Sequence, residues 1–480
     1  MYSSKLTTAL VLLMLLACTL CISGLTSCSK APTPVDEPAG LPDKAGGNVI
    51  TFVTINSPNT YYVNEHDDYA GLEYELAQLF VQSLGSPYSL KFVVVDSFAK
   101  VIPALLTGKA DIAAADITIT TERKKIIDYS IPYHDVQQQL AYNRDKAKPP
   151  KKLADLEGKF IVIPSGTSFV ERVSKLSIEQ PSLAWREVNH TNSEQLIENL
   201  SNGEIEYTIA DSHLLAVMQN YYPNIRVAFP IGEPEKIAWA MAKDSNPQLL
   251  AKINAFFKKI KADGTLRNLI DRYHGNTKRL NPLDVKTFLA RSQTLLPKYT
   301  RLFKNAQDST DIDWRLLAAM SYQESHWDTF STSPTNVRGL MMLTEATSDM
   351  MKVTDRLDPA QSIPAGAKYL LWIKERIPDR IPEPDRTFMA LAAYNIGVGH
   401  VEDGRVLAQR LKLNPDRWAD VKSAMIKLND ANYYMNAKHG YCSCGAPIVY
   451  TESIRSYYQI LLKHQPSHNP DLDRFKIAAR

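Results

Sequence analysis

The sequence predicts a multidomain chain: an α/β unit followed by a mostly α-helical one. Three observations carry that prediction. The length of 480 residues exceeds one ordinary domain and suggests two or three. Apolar runs of strand character alternate with helix-period segments up to about residue 275. From about residue 286 helical segments follow one another, with Pro and Gly at their joints and no convincing strand pair. With 44% hydrophobic and 22% charged residues, each part can bury a core. A formal net charge of only +3 gives no nucleic-acid footprint, so partners must be argued from sites.

The N-terminus carries an export signal. Lys5 precedes an apolar stretch over residues 6–22, followed by Ser23, Gly24, Leu25, Thr26, Ser27 and Cys28, the order of a secretory leader. Leu25-Thr26-Ser27-Cys28 resembles a bacterial lipobox, which implies a signal over residues 1–28 and a lipid-anchored mature chain beginning at Cys28. The alternative is an uncleaved helix, since the apolar stretch approaches the roughly 20 residues that span a bilayer, and Cys18 and Cys21 let an apolar run match by chance. Both readings export the remainder. Ser29, in place of Asp, suits the periplasmic face of the outer membrane. Beyond Cys28 the mature chain would keep only Cys442 and Cys444, too few for a disulfide framework. They can pair in an oxidising compartment. A metal would need more ligands than nearby His439, so no metal or cofactor is expected.

The elements follow in order. Residues 29–47 hold Pro, Gly and charges without period and read as a flexible tether. Residues 48–55 (NVITFVTI) predict a strand, and 71–84 a helix with an apolar face at 72, 76, 79 and 80. A strand at 90–95, a helix at 98–106 and a strand at 111–115 continue the alternation, which predicts parallel strands between helices. The first unit therefore spans 48–275 and a linker 276–285, with the break near 276–282. The second unit, 286–480, predicts helices at 286–296, 313–325, 344–352, 360–376, 386–395 and 450–463.

Three stretches of the first unit carry a resemblance: GLEYELAQLF after the first strand, DITITTERKKIIDYSIPY at 116–133, and the closing NPQLLAKINAFFKKIKADGTLRNLIDRYHG. Together they are similar to periplasmic solute-binding proteins of the amino-acid-binding family. The resemblance implies two α/β lobes joined by two hinge crossings, with the second lobe over about 146–230, closing around a ligand. It also implies that Arg123 clamps an α-carboxylate, a task for a planar bidentate donor, and that Asp211 receives an α-amine. Asp116 and Thr118 fall where the family places small polar groups, and Thr167 where a backbone amide and hydroxyl meet the carboxylate. Read without the family, Arg123 is one surface charge among Glu122, Lys124 and Lys125. Asp116 is a departure, because a further carboxylate repels an amino acid's own, and NTYYV at 59–63 supplies no clear aromatic platform. The expected ligand is an amino acid or a muropeptide.

In the second unit, Asp313 can cap a helix whose Leu317, Met320 and Glu324 share a face. A carboxylate ending an apolar stripe is partly desolvated, which raises its pKa and suits a general acid. Periodicity alone favours a helix-end glutamate turned to solvent. Four runs change that reading: YQESHWD at 322–328, SPTNVRGLMMLT at 333–344, ALAAYNIGVGH at 390–400 and YTESIRSYY at 450–458. In that order they resemble the motifs of soluble-lytic-transglycosylase-like domains, which are lysozyme-like. The resemblance places Glu324 at the catalytic acid, Ser333, Asn395 and Tyr450 along the active site, and Gly339, Leu340 and Met341 in the turn packed against the catalytic helix. Asn336-Val337 and Met342 depart from the family's Gly-Ala and Gln, and the latter puts one sugar contact in doubt. Asn395 near Gly397 also reads as a helix stop, Tyr450 as a core aromatic, and Asp328 as a loop residue rather than a second carboxylate.

The pairing of the two units resembles membrane-bound lytic murein transglycosylases, and implies cleavage of peptidoglycan glycan strands by a single carboxylate. Hydrolytic glycosidases usually pair two; here the muramic acid C6 hydroxyl would attack, leaving a 1,6-anhydro end. A hydrolytic muramidase, and a wall-bound receptor with an inactive lysozyme-like domain, are the competing readings.

Overall fold

The computed structural model describes residues 48–63, 68–275, 280, 282–333 and 337–469. The signal, the tether, Cys28, Asn336 and most of the predicted break at 276–282 lie outside them.

Two mixed sheets build the first unit. The run NVITFVTI forms β1 (Asn48–Ile55), because β-branched and aromatic residues fit a buried pleated surface. Beside it lie β2 (Tyr88–Val95), β3 (Ile112–Ala113) and β4 (Ile127–Tyr129). The second sheet takes β5 (Gln138–Asn143), β6 (Phe160–Pro164), β7 (Ala184–Val188), β8 (Tyr207–Asp211) and β9 (Ile225–Pro230), after which β10 (Ala240–Ala242) returns to the first. The orders are β2-β1-β3-β10-β4 and β7-β6-β8-β5-β9.

Parallel pairing holds where a helix makes the crossover, as in β1 with β2 and β3, or β6 with β7 and β8. It fails next to the hinge. The chain leaves the first lobe through His134–Val136 and comes back through Glu235–Ile237, and these two segments pair antiparallel. The strands that follow each crossing, β5 and β10, consequently run against their neighbours. The second sheet begins at Gln138 rather than near 146, because the crossing itself is only a few residues long.

Helices α1 (Leu72–Leu84), α2 (Val101–Leu106), α3 (Ser168–Glu179), α4 (Ser193–Asn202), α5 (Ser212–Tyr221), α6 (Pro247–Ala262) and α7 (Thr265–His274) cover the sheets. In α1 the apolar stripe Leu72, Leu76 and Phe80 is buried against Phe52 and Trp239.

The second unit is helical throughout: α8 (Pro282–Thr294), α9 (Thr300–Thr310), α10 (Trp314–Ser325), α11 (Glu345–Met350), α12 (Pro359–Lys374), α13 (Asp385–Ile396), α14 (Val398–Arg410), α15 (Trp418–Lys427), α16 (Ala431–Tyr434) and α17 (Gly445–His464). Helices α9 and α14 escaped the sequence pattern for physical reasons. In α9 the buried Phe303, Ala306 and Thr310 do share one face at helical spacing, but the segment is polar overall and two of the three are small or polar residues. The start of α14 is flanked by Gly397 and Gly399, which read as a break. Central to the unit is α10, buried from Trp314 to Tyr322 between α9 and α17. Cys442 and Cys444 form a disulfide with Cα atoms 5.0 Å apart.

The described residues from Asn48 onward form one compact body. Its two units meet through buried charge. From α7, Asp271 takes Lys422 Nζ of α15 at 2.5 Å, and its carbonyl accepts from Arg455 of α17 at 3.0 Å. Behind them Glu452, fully buried, accepts from Arg455 (2.6 Å), Lys422 (3.0 Å) and Trp418 Nε1 (2.8 Å). Among the described residues no helix is long and apolar enough to cross a membrane.

Candidate active site and ligand cleft

Glu324 stands in the last turn of α10, and the chain fixes both ends of that helix. At its start Asp313 accepts from the Arg315 amide at 2.8 Å and holds the Arg315 guanidinium at 2.6 Å. At its end His326 (φ 53°) and Trp327 (φ 60°) both turn left-handed, a conformation non-glycine residues seldom take. Buried Trp327 then folds back and donates to the Ala318 carbonyl at 2.9 Å. The tight reversal keeps Glu324 from fraying into solvent.

A turn over residues 339–342 supports the helix from the side. Ser321 and Ser325, one helical turn apart, each donate to the Leu340 carbonyl at 3.0 Å. Gly339 has φ +80°, and a Cβ there would sit 1.8 Å from the Arg356 carbonyl, so only glycine fits. Ser362 accepts from the Met341 amide at 3.2 Å, and Tyr394 donates to the Met341 carbonyl at 2.9 Å.

Tyr450, on α17 and 6% exposed, donates its phenol to Glu324 Oε1 at 2.5 Å. Burial pushes the Glu324 carboxyl up to about 7, against the opposing pull of that hydrogen bond. Glu324 itself stays partly accessible, as a group that meets substrate must. The phenols of Tyr450 and Tyr394 are pushed well above 10 by burial, with the charge of Glu324 adding to it, so both remain hydrogen-bond donors. Tyr394 lies inside ALAAYNIGVGH beside Asn395, and no local pattern marks it as the residue that reaches the 339–342 turn.

The other expected site residues differ in kind. Asn395 is exposed in the final turn of α13, just before Gly397 (φ 92°) ends the helix. Ser333 lies in the loop after α10, its hydroxyl accepting from the Val337 amide at 3.1 Å. Met342, φ 44°, completes the 339–342 turn by donating its amide to the Gly339 carbonyl at 3.1 Å. Asp328 is exposed and caps its own loop by accepting from the Phe330 amide at 3.0 Å. Thus the structure brings together Glu324, Tyr450 and Tyr394 around one carboxyl.

In the first unit a cavity of about 60 Å³ lies between the lobes. Asp116, Thr118, Thr167 and Asp211 line it, joined by Glu194, which the sequence reading did not single out. Asp116 takes φ 57° and is held by Glu73, which accepts its amide at 2.9 Å. Buried Glu73 also accepts from Tyr133 and Trp239, which explains an acid inside the apolar stripe of α1. Burial pushes the Asp116 carboxyl up, but His213, 2.7 Å away, outweighs this and holds it below the ordinary range. Thr118 accepts from the Ser168 hydroxyl of the other lobe (3.2 Å), and Thr167 donates to the Pro164 carbonyl (2.8 Å).

Arg123 is no surface charge: it is 4% exposed. It spans the two lobes, pairing Nε with Glu171 at 2.9 Å and donating to the carbonyls of Gly166 (2.9 Å) and Thr118 (3.4 Å). Its guanidinium does not line the cavity. Tyr61 stacks on Tyr69 in a separate aromatic cluster, and the rings that do line the cavity are Phe98 and Phe169. Among the described residues no group of His, Cys, Asp and Glu is placed to hold a metal ion.

Two protein families match the chain in the order of its two units. The bacterial extracellular solute-binding protein family 3 matches residues 50–276, and the transglycosylase SLT domain matches residues 301–414. A membrane-bound lytic murein transglycosylase F from Methylobacillus flagellatus is 50% identical over 454 residues, covering 95% of each chain. Its counterpart from Nitrosospira multiformis is 43% identical, covering 88% of this chain and 87% of its own. A crystal structure of the substrate-binding protein of an amino acid ABC transporter covers 47% of this chain and 99% of that one, at 27% identity and a TM-score of 0.42. With both domain families in order and half the residues identical along nearly the whole length, the chain belongs to the family of membrane-bound lytic murein transglycosylase F.

Proposed function

We propose that Glu324 is the single acid and base of a lytic transglycosylase acting on peptidoglycan. The observation that carries this is one partly accessible carboxyl, raised to about 7 and held by Tyr450, at the end of a helix pinned on every side. Protonated Glu324 gives its proton to the glycosidic oxygen between N-acetylmuramic acid and N-acetylglucosamine, and the bond from that oxygen to muramic C1 breaks. The resulting carboxylate takes the proton of the muramic C6 hydroxyl while that oxygen bonds to C1. The products are a 1,6-anhydro end and a free 4-hydroxyl, and no water is consumed. Intramolecular attack replaces a positioned water with high effective molarity, and Tyr450 keeps the carboxyl oriented across both steps. The nearest acid in sequence, Asp328, is occupied in its own loop, which favours this route over a two-carboxylate hydrolysis.

Mass spectrometry of digested sacculi tests the proposal. Anhydro ends are expected, reducing ends would establish a muramidase, and an unchanged digest would leave a receptor with an inactive domain.

The remaining features fit an enzyme held at its substrate. The relatives are membrane-bound by name, and Cys28 with Ser29 supports a lipid anchor on the periplasmic face of the outer membrane. Cys28→Ala should then move the protein from membranes to the soluble periplasmic fraction. The first unit is a receptor for a small ligand, an amino acid or a muropeptide, with Asp116, Thr118, Thr167 and Asp211 as its polar wall and Arg123 bridging the lobes behind it. The buried contact of Asp271 with Lys422 and Arg455 supports coupling of ligand binding to the helix that carries Tyr450. Calorimetry with wall-derived peptides, paired with cleavage rates at saturating ligand, tests both claims.

A further inference from the structure

Where the two units meet, a groove of about 350 Å³ opens, inside the roughly 300–1,000 Å³ of small-molecule sites. Helices α1 and α7 of the first unit line it, and the second unit closes it with Pro382, Glu383 and Arg417. It shares no lining residue with the interlobe cavity, and Glu324, Tyr394 and Tyr450 do not line it.

Its charges are matched to each other. Arg272 pairs with Glu75 at 2.7 Å and lies 3.6 Å from Asp385, which Arg417 also meets at 3.4 Å. Glu383 takes Lys374 at 2.9 Å. Every charged residue described in the wall therefore has its counter-charge, and a ligand ion would have to break a pair already made.

The groups that remain are neutral. Gln78, Gln82, Thr265 and Asn268 supply amides and a hydroxyl. Gln78 donates to the Tyr74 phenol at 2.7 Å, and Gln82 is exposed. Asn268 is only 6% exposed, and its Oδ1 is buried with no hydrogen-bond partner. An unmet buried acceptor is unfavourable, and a hydroxyl or N–H brought by a ligand relieves it. Beside these groups stand Tyr69 and Tyr74. Tyr61 stacks on Tyr69 with ring centroids 5.3 Å apart, yet 39% of Tyr69 remains exposed. An aromatic surface flanked by uncharged hydrogen-bonding groups suits a pyranose, whose C–H faces pack on the ring while its hydroxyl and acetamido groups meet the amides.

We propose that this groove is a second glycan site, holding a neutral N-acetylated stretch of a sugar strand across the seam between the two units. It rests on the cleavage reading above only for the source of that strand. A strand held here and at Glu324 is bound at two points, so it stays attached between cuts.

The test is hydrogen–deuterium exchange on the full chain in detergent. Three probes are compared: tetra-N-acetylchitotetraose, its deacetylated cationic form chitotetraose, and the anionic tetragalacturonate. The acetylated probe should slow exchange over residues 69–84 and 265–274, and the two charged probes should not. Gln82→Ala and, separately, Tyr69→Ala should each raise the concentration for half-protection about two- to tenfold, as expected for losing one neutral contact. Exchange over residues 314–325 should match the wild type in both variants, which shows that the fold is kept; Gln82 is exposed, so its replacement keeps the test valid should Tyr69→Ala misfold. Absence of protection over 69–84 and 265–274, equal protection by a charged probe, or protection that neither variant weakens overturns the proposal. The cleavage reading is decided separately, by the ends released from sacculi: anhydro ends with an unprotected groove overturn the second site and leave that reading intact.

Discussion

Replacing Tyr450 by Phe keeps the ring in its buried place and deletes the hydroxyl that donates to Glu324 Oε1 at 2.5 Å. That bond favours the carboxylate over the acid, so its removal must raise the pKa of Glu324. A hydrogen bond to a charged group contributes about 1.5–3 kcal/mol, which at 1.36 kcal/mol per unit is a rise of about one to two units. The starting point is about 7. Cleavage begins from the protonated acid, so wild-type activity should fall as pH rises through about 7. In Tyr450→Phe that alkaline limb should lie about one to two units higher. The plateau rate should drop about 10- to 100-fold, because a weaker, less oriented acid protonates the glycosidic oxygen poorly. Release of anhydro-muropeptides from purified sacculi between pH 5 and 9 reads both quantities. A limb that stays in place, or moves to lower pH, would refute the pairing of Tyr450 with the titrating acid.

Glu324→Gln should abolish anhydro-end formation while raising stability. A carboxyl whose folded pKa is lifted from 4.5 to about 7 loses stability as pH rises through that window. The variant should therefore match wild type in urea melts near pH 4 and exceed it by up to about 3 kcal/mol near pH 8; equal stability at both pH values would contradict the desolvated acid. Glu452→Gln leaves Arg455 and Lys422 short of their buried counter-charge, and denaturation should show a loss of about 3–5 kcal/mol. Gly339→Ala must push a Cβ into the Arg356 carbonyl at φ +80°; a loss of about 3 kcal/mol or more is expected in melts, with impaired cleavage because the Leu340 carbonyl that holds α10 moves.

Some of this was written in local pattern. Strand β1 and helix α1 follow from residues that repeat every two or every three to four positions, and the catalytic helix from its Asp313 cap and apolar face. Glu324 stood out because it sits in the run YQESHWD. Other features have no local signature. Thr300–Thr310 and Val398–Arg410 are weakly marked as helices, since α9 is polar overall and α14 opens between glycines. Tyr394 reads as one aromatic among several until its hydroxyl is found on the Met341 carbonyl. The parallel sheet expected from the alternation becomes mixed at β5 and β10, because the direction of a strand depends on where the preceding crossing delivers it.

Arg123 shows the division most sharply. The family resemblance implied a carboxylate clamp and the local charge run a surface residue, but its contacts lie 43 and more positions away, at Gly166 and Glu171, which only the approach of the two lobes brings within 3 Å. Likewise Glu194 and Asp211 become a pair of acids in one cavity solely through folding. By itself the sequence determined the two units, their order and their families, because these reside in short-range periodicity and contiguous motifs. Tertiary structure alone decided the raised pKa of Glu324, the acids that share the interlobe cavity and the salt-bridged seam at Asp271, because desolvation and Coulomb attraction act between atoms that are near in space, whatever their separation along the chain.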